Sequence, residues 1–271
     1  MIRIERRVGG LLRYHKVWFP SHQQALEISR SLQPNDVVRF FSAPDGLTRL
    51  PHFVKHRQLQ TSWIDLSMNP EALLNGMKRK SCRYEIRRAE KMLGRVEIEI
   101  GTAKALGDFL TVYNAFAEMK KLPKLPAPWL REYSSCGEAL VLYLNGMPLC
   151  CHLVLCDPEK RIVRLMFSGS RRLDTAEDAS ACGALNRYLH WHELQRYHAQ
   201  GFATFDFGGI WHPEDPISRF KLSFGGSVVS EYYYLFSGTR WLASFGNAVY
   251  EKLLRRRVLV AKSNGQETNG D

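Results

Sequence analysis

One lysine of this chain, Lys221, lies between two Gly-Gly pairs, Gly208-Gly209 and Gly225-Gly226, in the run GFATFDFGGIWHPEDPISRFKLSFGG over 201–226. Ala203 to Phe207 alternate as a short strand does, and the first glycine pair stops that strand where it delivers Asp206. Glycine at both ends lets backbone approach backbone, or a ligand, with no side chain between them. A cation held in such a frame suits the attack of an amine on an ester or thioester. It would meet the developing oxyanion or the leaving 3′-oxygen, while the site keeps the amine neutral and the reactants close. Asp206 is the nearest group to accept a proton or orient the amine, and Gly208, Gly209, Trp211 and Phe220 are the neighbours expected to contact substrate. Two plainer readings stand beside these. The run is then a tight connection with Lys221 in water, and Asp206 a strand-end carboxylate capping the Gly208-Gly209 turn. No serine, histidine and acid occur in an order that suggests a covalent intermediate.

A second concentration of chemistry precedes it. After Asn69-Pro70 the pattern predicts one long helix from about Glu71 to Leu93, ended by Gly94, with Pro70 tolerated in the first turn. At about 100° per residue, Arg79, Arg83, Arg87 and Lys91 share a wide face with Lys80 beside them and Lys78 just before. Cys82, Ile86, Ala89 and Leu93 form a neighbouring apolar face. A solvated helix would intersperse more carboxylates at i+4, so the basic face reads as an anion-contacting surface, with plain solvent exposure as the other reading.

The remaining chemistry is negative. Nine histidines include His190, His192 and His198, but HWHELQ lacks the HExxH spacing and no metal is expected. The six cysteines form no CxxC pair and read as free thiols of a reducing compartment. With no apolar run of about 20 residues and no apolar stretch behind the N-terminal charges, the chain predicts a cytoplasmic protein without a membrane span. The formal net charge of +11 favours anionic partners: nucleic acid, nucleotides, coenzyme A or an anionic surface.

The elements that must position these residues follow from periodicity. The 271 residues, 45% hydrophobic and 24% charged, suffice for one extended domain or two small ones. Leu11 to Phe19 and Val37 to Phe41 read as strands, with a helix from His22 to Leu32 opened by Ser21 between them. A strand over 61–67 and another over Val96 to Ile100 bracket the basic helix, and Thr102 to Lys121 is helical. Three prolines at 123, 126 and 128 then make a rigid basic loop, either a cover for a pocket or a spacer. Glu138 to Cys156 is a hairpin about Asn145-Gly146, Ile162 to Ser168 adds a third strand, and Ala179 to Gln200 is a second long helix. Ser227 to Phe236 is a strand, Trp241 to Arg257 a last helix, and 262–271 a disordered tail. The result is an α/β or α+β layering, a mixed sheet covered by helices.

Taken together, WIDLS, EALLNGMKRKSCRYEIRRAEKMLG, FSGS before a helix, FATFDFGG and RFKLSFGG resemble the FemAB/FemX-like branch of the GNAT superfamily of N-acyltransferases, over roughly Ser62 to Tyr234. The resemblance implies a GNAT-like, largely antiparallel mixed sheet with helices on both faces. It implies transfer of an aminoacyl group from aminoacyl-tRNA to an amine of a peptidoglycan precursor or peptide. Relatives are thought to use acyl-CoA. It matches Lys221 to a lysine implicated in the reaction, Phe220 to the aromatic before it, Lys78 to Lys91 to the family's basic element, and Asp206 to Gly209 to DFGG.

The resulting expectation is an amide-forming transferase with no tightly bound cofactor and with tRNA as a partner. An acyl-CoA donor is the alternative, and a non-catalytic nucleic-acid-binding or scaffold protein the third reading. Expected domains are a short segment over 1–60, in the form of a reduced first GNAT-like subdomain, the transferase domain over 61–261, and the tail.

Overall fold

A computed structural model describes residues 1–8, 12–171 and 176–239, so the expected helix over 241–257 and the tail lie outside the described residues. Ten strands are present among them: β1 Ile2–Val8, β2 Leu12–Trp18, β3 Asp36–Ala43, β4 Phe53–Asp65, β5 Val96–Ile100, β6 Gly137–Leu144, β7 Met147–Asp157, β8 Ile162–Ser170, β9 Thr204–Ile210 and β10 Ser227–Ser237. The α-helices are α1 His22–Arg30, α2 Pro70–Gly76, α3 Tyr84–Glu90, α4 Ala103–Met119, α5 Ala127–Ser134, α6 Ala176–Ala199 and α7 Pro216–Leu222. These group into two compact units. Met1–Leu59, Ala117–Lys124 and the chain from Glu231 make one, and Gln60–Phe116 with Leu125–Ser230 make the other.

In the first unit the strand order is β1-β2-β3-β10. β2 and β3 are parallel, from Arg13↔Asp36 to Trp18↔Phe41, and α1 is the crossover that parallel pairing requires. Ser21 starts that helix as half of a capping box, its hydroxyl accepting from the Gln24 N–H while the Gln24 side chain accepts from the Ser21 N–H. Val17, Ala25, Val38, Phe40, Leu47 and Phe236 close the core beneath it.

In the second unit the order is β4-β9-β8-β7-β6-β5, antiparallel throughout except for β8 and β9. The β6–β7 hairpin turns through Asn145 at φ 50° and Gly146 at φ 76°, the left-handed pair of a type I′ turn. Helix α6 joins the parallel strands and buries Leu185, Leu189 and Leu194 against the sheet core of Leu140, Leu142, Val154 and Phe205. β8 and β9 pair only at Ile162↔Thr204, Val163↔Phe205 and Arg164↔Asp206. Beyond that, β8 stays paired to β7 through Ser170 and β9 to β4 through Ile210. The two parallel strands therefore open into a wedge beyond Arg164 and Asp206.

Several expectations are corrected. The helix expected over 71–93 is broken: Met77 and Lys78 are extended, and a π-helical turn over Arg79–Arg83 separates α2 from α3. The cause is tertiary, because the Lys78 N–H leaves the helix to donate to Ser223 O at 2.9 Å. β9 does not stop at Gly208-Gly209 but runs through them to Ile210, held by β4. The compact loop before Lys221 includes α7, a helix too short to show a periodic face, started by Asp215 with Pro216 at its first position. The proline-rich loop yields to α5 after Pro126 for the same reason.

Candidate active site

All the site residues named below belong to the second unit. At the vertex of the wedge, Arg164 of β8 faces Asp206 of β9, and the Asp206 side chain is wholly buried. Asp206 Oδ2 accepts from the Arg164 guanidinium at 2.5 Å, and Oδ1 accepts from the Gly208 N–H at 2.8 Å and from the Thr61 hydroxyl. This geometry fits the capping carboxylate better than a proton acceptor, since no face of Asp206 meets solvent. Three donors compensate the burial of its charge.

Gly208 has φ +74°, a conformation that disfavours any side chain, and a Cβ built there would lie 3.8 Å from an Arg164 nitrogen and 3.9 Å from Lys221 Nζ. The bare α-carbon thus lies against two cations. Lys221, half-buried on α7, donates from Nζ to Gly209 O at 2.8 Å. Behind it the second glycine pair does what the sequence suggests. A Cβ on Gly225 would lie 2.6 Å from Gly76 O, and one on Gly226 2.5 Å from Ser62 Oγ and 2.9 Å from Trp63 O. Backbone therefore packs on backbone there, fixing the end of α7 to the end of α2 and to β4.

Phe220 packs on Phe224 at 5.4 Å between ring centres, and the Arg187 guanidinium of α6 lies 4.9 Å over its ring. Trp211 is exposed, its indole nitrogen 3.9 Å from the position a Gly209 Cβ would take.

The basic segment forms a separate feature. Arg79, Arg83 and Arg87, with Tyr84, line a cavity of about 470 Å³. Lys78 O accepts from both the Cys82 and Arg83 N–H groups, at 2.9 and 3.2 Å, as the chain widens into the π turn. On the opposite face Cys82, Ile86 and Ala89 are fully buried. Arg83 is steadied by Asn75 Oδ1 at 3.2 Å. Lys78, Lys80 and Lys91 are exposed and do not line the cavity, and Tyr84, missed by a reading of charge alone, does.

Sequence reasoning also missed a buried group. His152 of β7, with His190 and Glu193 of α6, meet with no exposure of any of the three. The signal was present in the i, i+3 spacing of His190 and Glu193. His198 lies apart, with Nδ1 2.7 Å from Leu66 O.

Residues 77–222 match a protein family described as acetyltransferase (GNAT) domain. Among solved structures the chain is similar to FemX, with a TM-score of 0.63 at 13% identity, covering 85% of this chain and 82% of that one. It is also similar to L-PGS from Bacillus licheniformis, with a TM-score of 0.55 at 13% identity over 87% of this chain and 80% of that one. A comparison with curated proteins gives no match. At these identities the likeness to the solved structures is one of fold.

Proposed function

The chain belongs to the acetyltransferase (GNAT) domain family and is an acyltransferase, and from that premise we propose that it forms an amide bond by passing an aminoacyl group from aminoacyl-tRNA to an amine acceptor. The observation that carries the donor is the cavity ringed by Arg79, Arg83 and Arg87. Three guanidiniums present planar donor forks to phosphate oxygens, and Tyr84 offers a ring for a base to stack on. The formal charge of +11 supports a polyanion over a single small coenzyme.

In this reading Lys221 meets the charge that develops on the carbonyl oxygen or the leaving 3′-oxygen. Gly208, with no side chain, lets the reacting carbonyl approach both Lys221 and Arg164. Asp206 keeps Arg164 and the Gly208 N–H in place, while Trp211 and Phe220 border the approach. The acceptor is an amine on a peptidoglycan precursor or peptide, and it attacks in its neutral form. The segment before Gln60 fits a reduced companion subdomain.

One observation favours a second reading, an acyl-CoA donor. Beyond Arg164 and Asp206 the β8–β9 ladder ends and the two strands diverge, and a cleft between strand edges suits the amides of a pantetheine arm.

The experiment that separates them offers charged tRNA or acyl-CoA with an amine acceptor. Product is expected from charged tRNA and is expected to vanish when the donor is treated with ribonuclease before mixing. Product from acyl-CoA that resists ribonuclease would replace the first reading with the second.

A second test addresses the cavity. Reversing the charge of Arg83 and Arg87 together, with glutamate at both, is expected to weaken donor binding. The plot of log affinity against log salt should become shallower by roughly 1.5, the counterion release of about two contacts to a single strand. An unchanged slope in a titration over salt would remove the cavity from donor binding.

A further inference from the structure

The chemistry given to Lys221 leaves the buried trio of β7 and α6 unused. His152, His190 and Glu193 have no exposed surface, and one ligand atom from each lies within 4.8 Å of the other two. Each of the three side chains has one polar atom satisfied and one left over. His152 Nε2 is 3.1 Å from Asn186 Oδ1, an acceptor, so that nitrogen carries the proton of its ring. His190 Nδ1 is 3.0 Å from Glu193 Oε2 and carries the proton in the same way. What remains is His152 Nδ1, His190 Nε2 and Glu193 Oε1, all buried and all without a hydrogen-bond partner among the described residues. In a neutral imidazole the nitrogen opposite the N–H is a lone pair, so the three leftover atoms are all acceptors.

One pair of them is close. His152 Nδ1 and Glu193 Oε1 are 3.0 Å apart yet do not meet in a hydrogen bond, so a proton on Nδ1 would be poorly placed to bridge them. Contact without alignment is how two ligands of one metal ion sit. With bonds of about 2.0 to 2.1 Å to a tetrahedral zinc, neighbouring donors are about 3.3 Å apart, and their lone pairs converge beside the line that joins them. The buried carboxylate also needs its charge answered. Among the described residues its ion-pair contacts are to the two imidazoles, and none is to a lysine or arginine.

We propose that His152, His190 and Glu193 bind one zinc ion in the core of the second unit, through two imidazole nitrogens and one carboxylate oxygen, with water as the fourth ligand. Nitrogen and oxygen donors of these types are ones that zinc takes. Asn186 Oδ1 behind His152, and Glu193 Oε2 behind His190, are the outer acceptors that metal-bound imidazoles keep on their other nitrogen. The rings of Phe207, Phe220 and Phe224, with centres 5.0, 5.6 and 5.4 Å from that of His190, wall the site. Binding changes the trio in one respect. The imidazoles stack with centres 3.9 Å apart, and two rings on one zinc need about 5 Å, so the ion parts the stack by about 1 Å. The ion ties α6 to β7, and it does so whichever donor the enzyme uses.

The test is elemental analysis of the full chain purified from cells grown with zinc. About one zinc per chain is expected, and X-ray absorption should find nitrogen and oxygen neighbours alone, at about 2.0 to 2.1 Å. Glu193→Gln keeps the shape of the side chain without its charge and is expected to retain no zinc. Should that variant fail to fold, Asn186→Ala leaves all three ligands in place and deletes the outer acceptor of His152. It is expected to weaken zinc binding about 10- to 100-fold in competition with a chromophoric chelator. The melting temperature of the parent should rise with free zinc, because the ion binds the folded chain, and that of Glu193→Gln should not. A parent chain free of zinc, a melting temperature indifferent to zinc, or zinc held equally well by Glu193→Gln or Asn186→Ala would each overturn the proposal and leave the trio a metal-free part of the core. None of these readouts uses a donor substrate, so a failure of the tRNA reading is separable from a failure of this one.

Discussion

Replacing Lys221 with methionine is expected to leave a folded protein whose turnover is about 10² to 10³ times slower, the loss typical of one missing oxyanion donor. Methionine keeps much of the volume of the lysine stem, and Phe220, Phe224 and the glycine pair at 225–226 make their contacts without the charge. The variant loses the hydrogen bond to Gly209 O, and that costs about 1.5 to 3 kcal/mol of stability. A group that acts only in the transition state lowers kcat and kcat/KM together. Single-turnover rates measured beside melting curves therefore decide. A folded variant with the parent rate would remove Lys221 from the chemistry, and an unfolded one would make its charge structural.

The largest effect on stability is expected at the wedge vertex. Arg164→Met leaves Asp206 fully buried with Thr61 and the Gly208 N–H as its remaining donors, and breaking a buried ion pair from one side costs about 3 to 5 kcal/mol. Pairing Arg164→Met with Asp206→Leu removes the stranded charge, so the double variant should recover much of that loss. Urea melts of the two single variants and the double variant give the coupling directly. Additive losses would mean that the pair is not the unit the structure describes.

What could be read from the sequence divides along a physical line. The β6–β7 hairpin was legible because Asn145-Gly146 is a local signal, and so was α1, whose start is written in Ser21. The lysine between glycine pairs was legible because glycine advertises close backbone contact, and Gly225 and Gly226 make such contacts. The break at Met77–Lys78 was not legible. Arg79 to Glu90 keeps helical spacing throughout, and the Lys78 N–H departs only because Ser223 O, distant in sequence, accepts it. The buried trio escaped for the same reason, since His152 reaches Glu193 of α6 from β7. Asp206 was legible as a carboxylate capping the Gly208-Gly209 backbone, though not as a residue inside β9, and its partners Arg164 and Thr61 come from β8 and β4, because strand order is a tertiary fact.

The vertex also bears on how the chain is made. Thr61 and Asp206, which share a hydrogen bond there, are 145 residues apart. Closing a loop of that length costs about 4 kcal/mol of chain entropy beyond a constant. At 5 to 20 residues per second, a ribosome takes roughly 7 to 30 s to deliver the second partner after the first. Through that interval the end of β4 that will receive β9 has no partner, and an unpaired strand edge is a template for aggregation. Nascent chains halted before β9 is complete hold neither the vertex nor the lysine frame. The need for a chaperone during synthesis should therefore be concentrated in the window between β4 and β9.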